Sequence, residues 1–244
     1  MKKKFKIVAL ITARSGSKRI KNKNIKNLFG KPLVYYTIKQ ALKIRLINRV
    51  IFSTDSEQYS KIASNFGAEC LYLRPKKYSQ DSSSDFQAFN FNEYWLNKYE
   101  GYFTDIYVHL RPTFPLRRLL DIQKMIKLMI LNYSKTDSVR SVIPSNQFPE
   151  KTYIIKKSGF LHSSAGFKRI SKKDDFLCNQ SHSLLNKYYK GNGCLDVFKA
   201  SCLKKKSVTG KKIIPYIMKI KDSIDIDRLS DFKKIKKKDI IKLK

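Results

Sequence analysis

Ile7-Val8-Ala9-Leu10-Ile11-Thr12 runs without a break into Ala13-Arg14-Ser15-Gly16-Ser17-Lys18-Arg19-Ile20-Lys21-Asn22-Lys23-Asn24. A continuous β-branched run reads as a strand covered on both faces, because a strand with one wet face would alternate. Similar short runs recur at Val50–Thr54, Asp105–Leu110 and Ser138–Ile143. Between them lie helical spacings. Val34, Ile38, Ala41 and Leu42 form one apolar stripe, and Ile122, Ile126, Met129 and Ile130 form another. Pro32 stands where a first helical turn tolerates it, and Pro115 precedes the second helix. Strand alternating with helix predicts an α/β domain of parallel strands joined by crossover helices.

A loop leaving the carboxyl end of such a strand sits at the crevice where these sheets bind ligands. The segment Ala13–Lys23 carries Arg14, Lys18, Arg19, Lys21 and Lys23 and no acid. Gly16 would let the backbone turn tightly and bring N–H groups to an anion, and Arg14, Lys18 and Lys23 would neutralise a polyphosphate. The loop matches neither G-x-x-x-x-G-K-[ST] nor G-x-G-x-x-G, and a plain solvated turn accounts for it equally in a lysine-rich chain. Near the other end stands Asp222-Ser223-Ile224-Asp225-Ile226-Asp227. In extended backbone Asp225 and Asp227 share one face, opposite Ile224 and Ile226. Two carboxylates at a strand end suit magnesium; alternatively Asp227 caps a helix starting at Arg228 and Asp225 pairs with lysines. Ser53-Thr54-Asp55 offers a helix cap. The two prolines of Leu110-Arg111-Pro112-Thr113-Phe114-Pro115 would stiffen that connection and aim Arg111 or Thr113 into the crevice. Gly191-Asn192-Gly193 reads as a turn, or as an amide that reads a sugar or carboxylate.

The chain has 244 residues, of which 52 are Lys or Arg and 19 Asp or Glu, for a net charge of +33. Arginines number only 11, whereas base-reading proteins lean on arginine's fork. No zinc-finger spacing, RNA-recognition signature or basic heptad region accompanies the charge, so nucleic acid is not the expected partner. Hydrophobic residues at 42 % and aromatics at 12 % argue against disorder. The lack of any long uncharged apolar run argues against membrane insertion. Cys70, Cys178, Cys194 and Cys202 form no C-x-x-C pair, which suits a reducing, cytoplasmic setting. Regular patterning fades over residues 144–190, an expected insertion; the core domain is expected over 1–143 and 191–244. The lysine run 233–244 reads as a solvated helix face or tail.

The ordered set of motifs resembles the acylneuraminate cytidylyltransferases, the CMP–sialic acid synthetases and relatives acting on other nonulosonic acids. It comprises Ala13–Lys18 through Lys23-Asn24, Leu28-Phe29-Gly30-Lys31-Pro32-Leu33, Ser53-Thr54-Asp55, Leu73-Arg74-Pro75, Asp81-Ser82-Ser83, Leu110-Arg111-Pro112-Thr113, Pro115-Leu116-Arg117, Asn192-Gly193 and Ser223–Asp227. The resemblance implies a Rossmann-like nucleotidyltransferase fold, a mainly parallel sheet with helices on both faces. It implies a homodimer formed through the 144–190 subdomain, and a role in capsule or lipopolysaccharide synthesis. By the same resemblance Arg14, Ser17, Lys18, Asn24, Arg74 and Ser83 would hold CTP, and Lys23 would meet the reacting phosphates. Asp225 and Asp227 would bind Mg2+, and Arg111, Asn192 and, across the dimer, Lys151 would face the sugar acid. Three departures stand out: Arg111 where the family often has glutamine, Phe114 where it has serine, and Gln180–Leu185 without the usual arginine and Leu-Pro. The alternative functions are transfer to another sugar such as 3-deoxy-octulosonate, and a basic nucleic-acid-binding protein.

Overall fold

The computed structural model describes residues 4–241. The ends of the two basic termini, residues 1–3 and 242–244, lie outside the described residues. The chain divides into two compact units, one formed by the residues up to Ser141 together with those from Asn192 onward, the other by Val142–Gly191.

The described residues form ten strands and six α-helices. In order these are β1 (Ile7–Thr12), β2 (Asn27–Leu28), β3 (Lys31–Pro32), α1 (Leu33–Leu42), β4 (Arg49–Ser53), α2 (Glu57–Asn65), α3 (Asp85–Glu100), β5 (Ile106–Leu110) and α4 (Leu119–Leu131). Then follow β6 (Ser138–Ser145), β7 (Tyr153–Ile155), β8 (Leu161–Ser163), β9 (Tyr188–Lys199), β10 (Ile213–Ile217), α5 (Leu229–Lys234) and α6 (Lys237–Ile241). The large unit is built on a six-stranded sheet in the order β10-β6-β9-β5-β1-β4. β1 lies parallel to β4 and to β5, as the strand–helix alternation predicts. β9 runs antiparallel to β5, with His109 opposite Asp196. This is the mixed α/β sheet of the Rossmann-like nucleotidyltransferase class.

β1 shows why its sequence has no polar gaps. Ile7, Ala9 and Ile11 face one cluster with Val34 and Ile38 of α1, Tyr59 and Ala63 of α2 and Ile122 and Ile126 of α4. Val8 and Leu10 face the other, with Phe89 and Leu96 of α3. Each such Leu or Ile contributes about 1.5–3 kcal/mol by leaving water. α3 escaped the sequence reading because its aromatic residues lie on several sides: Phe89 is buried, while Tyr94 and Tyr99 are exposed. Its start is marked by Ser84, whose N–H donates to Gln87 Oε1 at 2.9 Å.

The small unit holds the antiparallel β7–β8 hairpin and short 3-10 turns. Glu150 is buried and accepts a hydrogen bond from Tyr188.

Candidate active site

At the carboxyl end of the sheet a cleft of about 280 Å³ is lined by Thr12, Arg14, Ser17, Lys23 and Asn24 from β1 and its loop, by Arg74, residues 78–81 and residues 83–85, and by Arg111 and Thr113 beyond β5. The loop is held from beneath. Asp55 accepts from Ser15 N at 2.8 Å and from Ser15 Oγ at 3.0 Å, so the Ser53-Thr54-Asp55 element fastens the cationic loop, and Ser56 caps α2 instead. Asn24 is buried and donates to the Arg14 carbonyl at 3.1 Å. Its amide is a brace for the loop. Gly16 does not supply the turn: its φ is not positive, and a Cβ there would meet nothing within 4 Å. Asn22, at φ 55°, takes the left-handed conformation.

The cations meet two aspartates. Arg14 reaches Asp81 at 2.6 Å, and Lys18 pairs with its other oxygen. Lys23 donates to Asp227 Oδ1 at 2.9 Å and Arg19 to Asp227 Oδ2 at 3.0 Å. The loop near residue 20 and the acidic segment near residue 226 therefore close on one another. Asp225 and Asp227 sit on an irregular extended segment beyond β10, not on a strand end. Ile226 between them is fully buried against Leu28, Leu33 and Leu116, and its N–H donates to the Thr113 carbonyl at 2.9 Å. That anchor turns both carboxylates outward. Asp227 does not cap the following helix. Asp231 does so from inside, accepting the N–H groups of Asp227 and Arg228 at 3.0 and 2.8 Å. Asp225 keeps an open side to solvent, yet the protein around it desolvates the carboxylate, and Asp227 adds like charge. Its carboxyl is raised above the usual range, despite a hydrogen bond from Thr113.

On the far wall, Arg74 is buried and donates to Ser79 Oγ at 2.9 Å, and burial lowers its pKa. Ser83 accepts from Gln80 N at 2.9 Å, tying up its own turn. Arg111 donates to Asp85 Oδ2 at 2.7 Å, to the Gly193 carbonyl at 2.6 Å and to Asp196 Oδ2 at 3.3 Å. Burial opposes ionisation of Asp85, but attraction to His109 and Arg111 overcomes it and holds the carboxyl below its usual range. Beneath them His109 is fully buried, and desolvation lowers its pKa to about 4. Phe114, buried, packs near Gly193 and under the Arg117 guanidinium.

Five nominated residues are not in the cleft lining: Lys18, Asp225 and Asp227, which meet the lining residues Asp81, Thr113 and Lys23, and two more, Asn192 and Lys151. Asn192 is not in the cleft lining; its Oδ1 accepts from Ser141 Oγ at 2.6 Å and Cys194 N at 3.0 Å. Lys151 belongs to the small unit, in the 3-10 turn Pro149–Lys151. Four residues that sequence reasoning missed share the site: Arg19, Asp81, Asp85 and Asp196. Asp81 was visible in the sequence as an acid among serines. Asp196 lies in an apolar strand, where a lone acid signals a buried ion pair.

A family model for cytidylyltransferases matches residues 8–174. The chain belongs to the cytidylyltransferase family. An N-acylneuraminate cytidylyltransferase from Escherichia coli O18:K1:H7 is 34 % identical over 227 residues, 93 % of this chain but 50 % of that protein. A CMP-N,N'-diacetyllegionaminic acid synthase from Legionella pneumophila is 29 % identical, over 93 % of this chain and 94 % of that one. Post-translational flagellin modification protein B from Campylobacter coli is 30 % identical, with 93 % and 92 % covered. The chain thus spans about half of the E. coli relative and nearly all of the other two. In fold, this cytidylyltransferase resembles a CMP:2-keto-3-deoxy-manno-octonic acid synthetase complexed with CTP, with a TM-score of 0.67, 16 % identity and coverage of 94 % and 96 %. Among the described residues, no helix is long and apolar enough to cross a membrane.

Proposed function

We propose that this cytidylyltransferase activates a nonulosonic, sialic-acid-like sugar acid, transferring CMP from CTP to its anomeric hydroxyl with release of pyrophosphate. The observation that carries the reading is the 2.9 Å contact of Lys23 with Asp227, 204 residues apart in sequence. It brings a cationic phosphate-type loop against a carboxylate pair. The relatives named above supply the sugar class.

Phosphoryl transfer asks the protein for positioning and for fixed charge where charge builds up. Arg14 and Lys18 would take the β- and γ-phosphates, and Lys23 the reacting phosphate. Ser17, Asn24, Arg74 and Ser83 would hold the nucleotide, with Asn24 acting through the Arg14 backbone. Arg111 would front the sugar acid beside Thr113, with Asn192 and, from a second subunit, Lys151 completing that side.

Among the described residues no group of three or more His, Cys, Asp or Glu gathers as a metal cage. Magnesium does not require one, since it takes one or two carboxylates and fills its shell with substrate phosphates and water. Asp225 and Asp227 fit that donor set. The ion they would hold supplies charge neutralisation on the phosphates and lowers the pKa of the attacking hydroxyl. Homodimer formation through the small unit is part of the same reading. Its support is the number of large apolar side chains that unit exposes, including Ile154, Ile155, Phe160, Leu161 and Leu184.

The test is incubation with CTP, magnesium and a panel of 2-keto-3-deoxy sugar acids, scored by pyrophosphate release. Release with nonulosonic acids and not with 3-deoxy-octulosonate is expected. Release with the octulosonate alone would shift the assignment to the eight-carbon acid, and equal use of UTP would remove the cytidylyl reading.

A further inference from the structure

The two aspartates that meet the cationic loop are held in different ways. Asp227 follows Ile226, which is buried and bonded through its N–H to Thr113, and its own N–H is fixed by Asp231. It cannot leave without unpacking a core residue. Asp81 sits on the turn 79–84, which is tied down by short-range bonds. Ser83 N donates to the Gln80 carbonyl at 3.1 Å, Gln80 N to Ser83 Oγ, and Ser83 Oγ to the Lys77 carbonyl. Residues 80–82 are exposed. Nothing in the sheet ladder fixes Asp81 in place.

Its two oxygens nonetheless take Arg14 and Lys18, two loop cations that Asp227 does not pair with. A carboxylate oxygen and a phosphate oxygen accept from the same guanidinium and ammonium N–H donors. One cannot bind where the other is. Lys18 is 82 % exposed, so a polyanion reaches it without displacing protein other than Asp81.

Resting on the cytidylyltransferase reading, we propose that Asp81 is a displaceable occupant of the phosphate subsite. It yields Arg14 and Lys18 to the triphosphate of the incoming nucleotide and retakes them as pyrophosphate leaves. No bond is made or broken; one set of ion pairs exchanges for another. The exchange favours the triphosphate, which brings several charges against one. A competing carboxylate keeps pyrophosphate from binding as tightly as an unopposed Arg14 and Lys18 would hold it, and so speeds its release.

The experiment measures the affinity of inorganic tripolyphosphate and of CTP by calorimetry at fixed ionic strength, for the full chain, Asp81→Asn, Lys18→Ala and the double variant. Asp81→Asn is expected to bind tripolyphosphate about two- to fivefold more tightly, the range of an exposed ion pair removed from competition. The gain is expected to shrink in the Lys18→Ala background, since the two residues then couple. Unchanged or weaker binding by Asp81→Asn would overturn the proposal, because Asp81 would then orient the cations and not compete for them. An undiminished gain in the Lys18→Ala background would also overturn it, by assigning the effect to net charge alone. Failure of the unaltered chain to bind CTP or tripolyphosphate would instead overturn the cytidylyltransferase reading on which the proposal rests.

Discussion

The large unit and the Val142–Gly191 unit are made of similar residue types and use them in opposite ways. β1 places Val8, Ala9, Leu10 and Ile11 wholly out of water. The β7–β8 hairpin leaves Ile154, Ile155 and Leu161 in it. In the large unit, burial fixes each side chain, and the cleft inherits that rigidity through anchors such as Ile226. In the small unit the backbone is ordered locally by hydrogen bonds, as between Ser164 N and the Thr152 carbonyl at 2.8 Å, while most of its large apolar side chains look outward. Chemistry that needs charges held to within fractions of an ångström belongs on the first kind of scaffold.

The largest expected effect probes that rigid scaffold at its acidic pair. Asp227→Asn removes one of two carboxylates proposed for magnesium and loosens Lys23 and Arg19. Magnesium-dependent turnover is expected to fall on the order of 10²- to 10³-fold, while CTP binding measured by calorimetry survives. Normal turnover in this variant would separate the pair from the metal.

The same contrast explains what the sequence allowed to be read. β1 was legible to the residue because a strand covered on both faces must be apolar throughout, and a run this short and β-branched favours a strand over a buried helix. α1 and α4 were legible because each buries one stripe. The alternation of Ile224 and Ile226 with Asp225 and Asp227 gave the correct faces, although the segment is not a strand, since burying every second residue needs only extended backbone. The antiparallel β9 was not legible, because strand direction is set by partners that a local pattern does not contain. Asp81 and Asp85 were missed for a similar reason: an acid's role depends on which cation it meets, and Arg14 and Arg111 come from distant strands. The cap at α5 stays open in the sequence because Asp227 and Asp231 are both suited to it, and only the pairing of Asp227 with Lys23 leaves Asp231 as the acceptor. In the small unit the period was absent from the sequence because among its large apolar side chains few are buried, so no face imposed one.

Arg117 tests the comparison from within the core. It is fully buried and donates to the carbonyls of Cys194 at 3.0 Å and Arg111 at 2.9 Å and to Gln40 Oε1 at 3.1 Å. All three acceptors are neutral, and burial lowers its pKa. Arg117→Met would leave them unpaired, at a cost of about 3 kcal/mol in urea unfolding, the scale for a broken buried polar network. Because Arg117 ties the Arg111 backbone, the variant is also expected to raise KM for the sugar acid more than for CTP.

His109 carries the prediction in pH. Its folded pKa of about 4 lies below the ordinary value of 6.5, so the unfolded chain takes up the proton first as pH falls. Stability from this group is complete above pH 6.5, declines from there to about pH 4, and is flat below. The loss is on the order of 3 kcal/mol for a shift of this size. Chemical unfolding across pH 4–8 should show that slope in the unaltered chain and a shallower one in His109→Gln. Equal slopes would place the acid sensitivity elsewhere.

The smallest expected effect on folding is in the hairpin. Ile155 and Phe160 are 73 % and 74 % exposed, so removing them costs little packing, and Ile155→Ser with Phe160→Ser should change unfolding free energy by no more than about 0.5 kcal/mol. Small stability change and large assembly change together are what a surface reserved for a second copy would give. Sedimentation velocity of the double variant is therefore expected to shift toward monomer, while nucleotide binding by the large unit stays intact. A species distribution identical to that of the unaltered chain would mean that these side chains do not form the dimer contact, and the trans contribution proposed for Lys151 would lose its support with it.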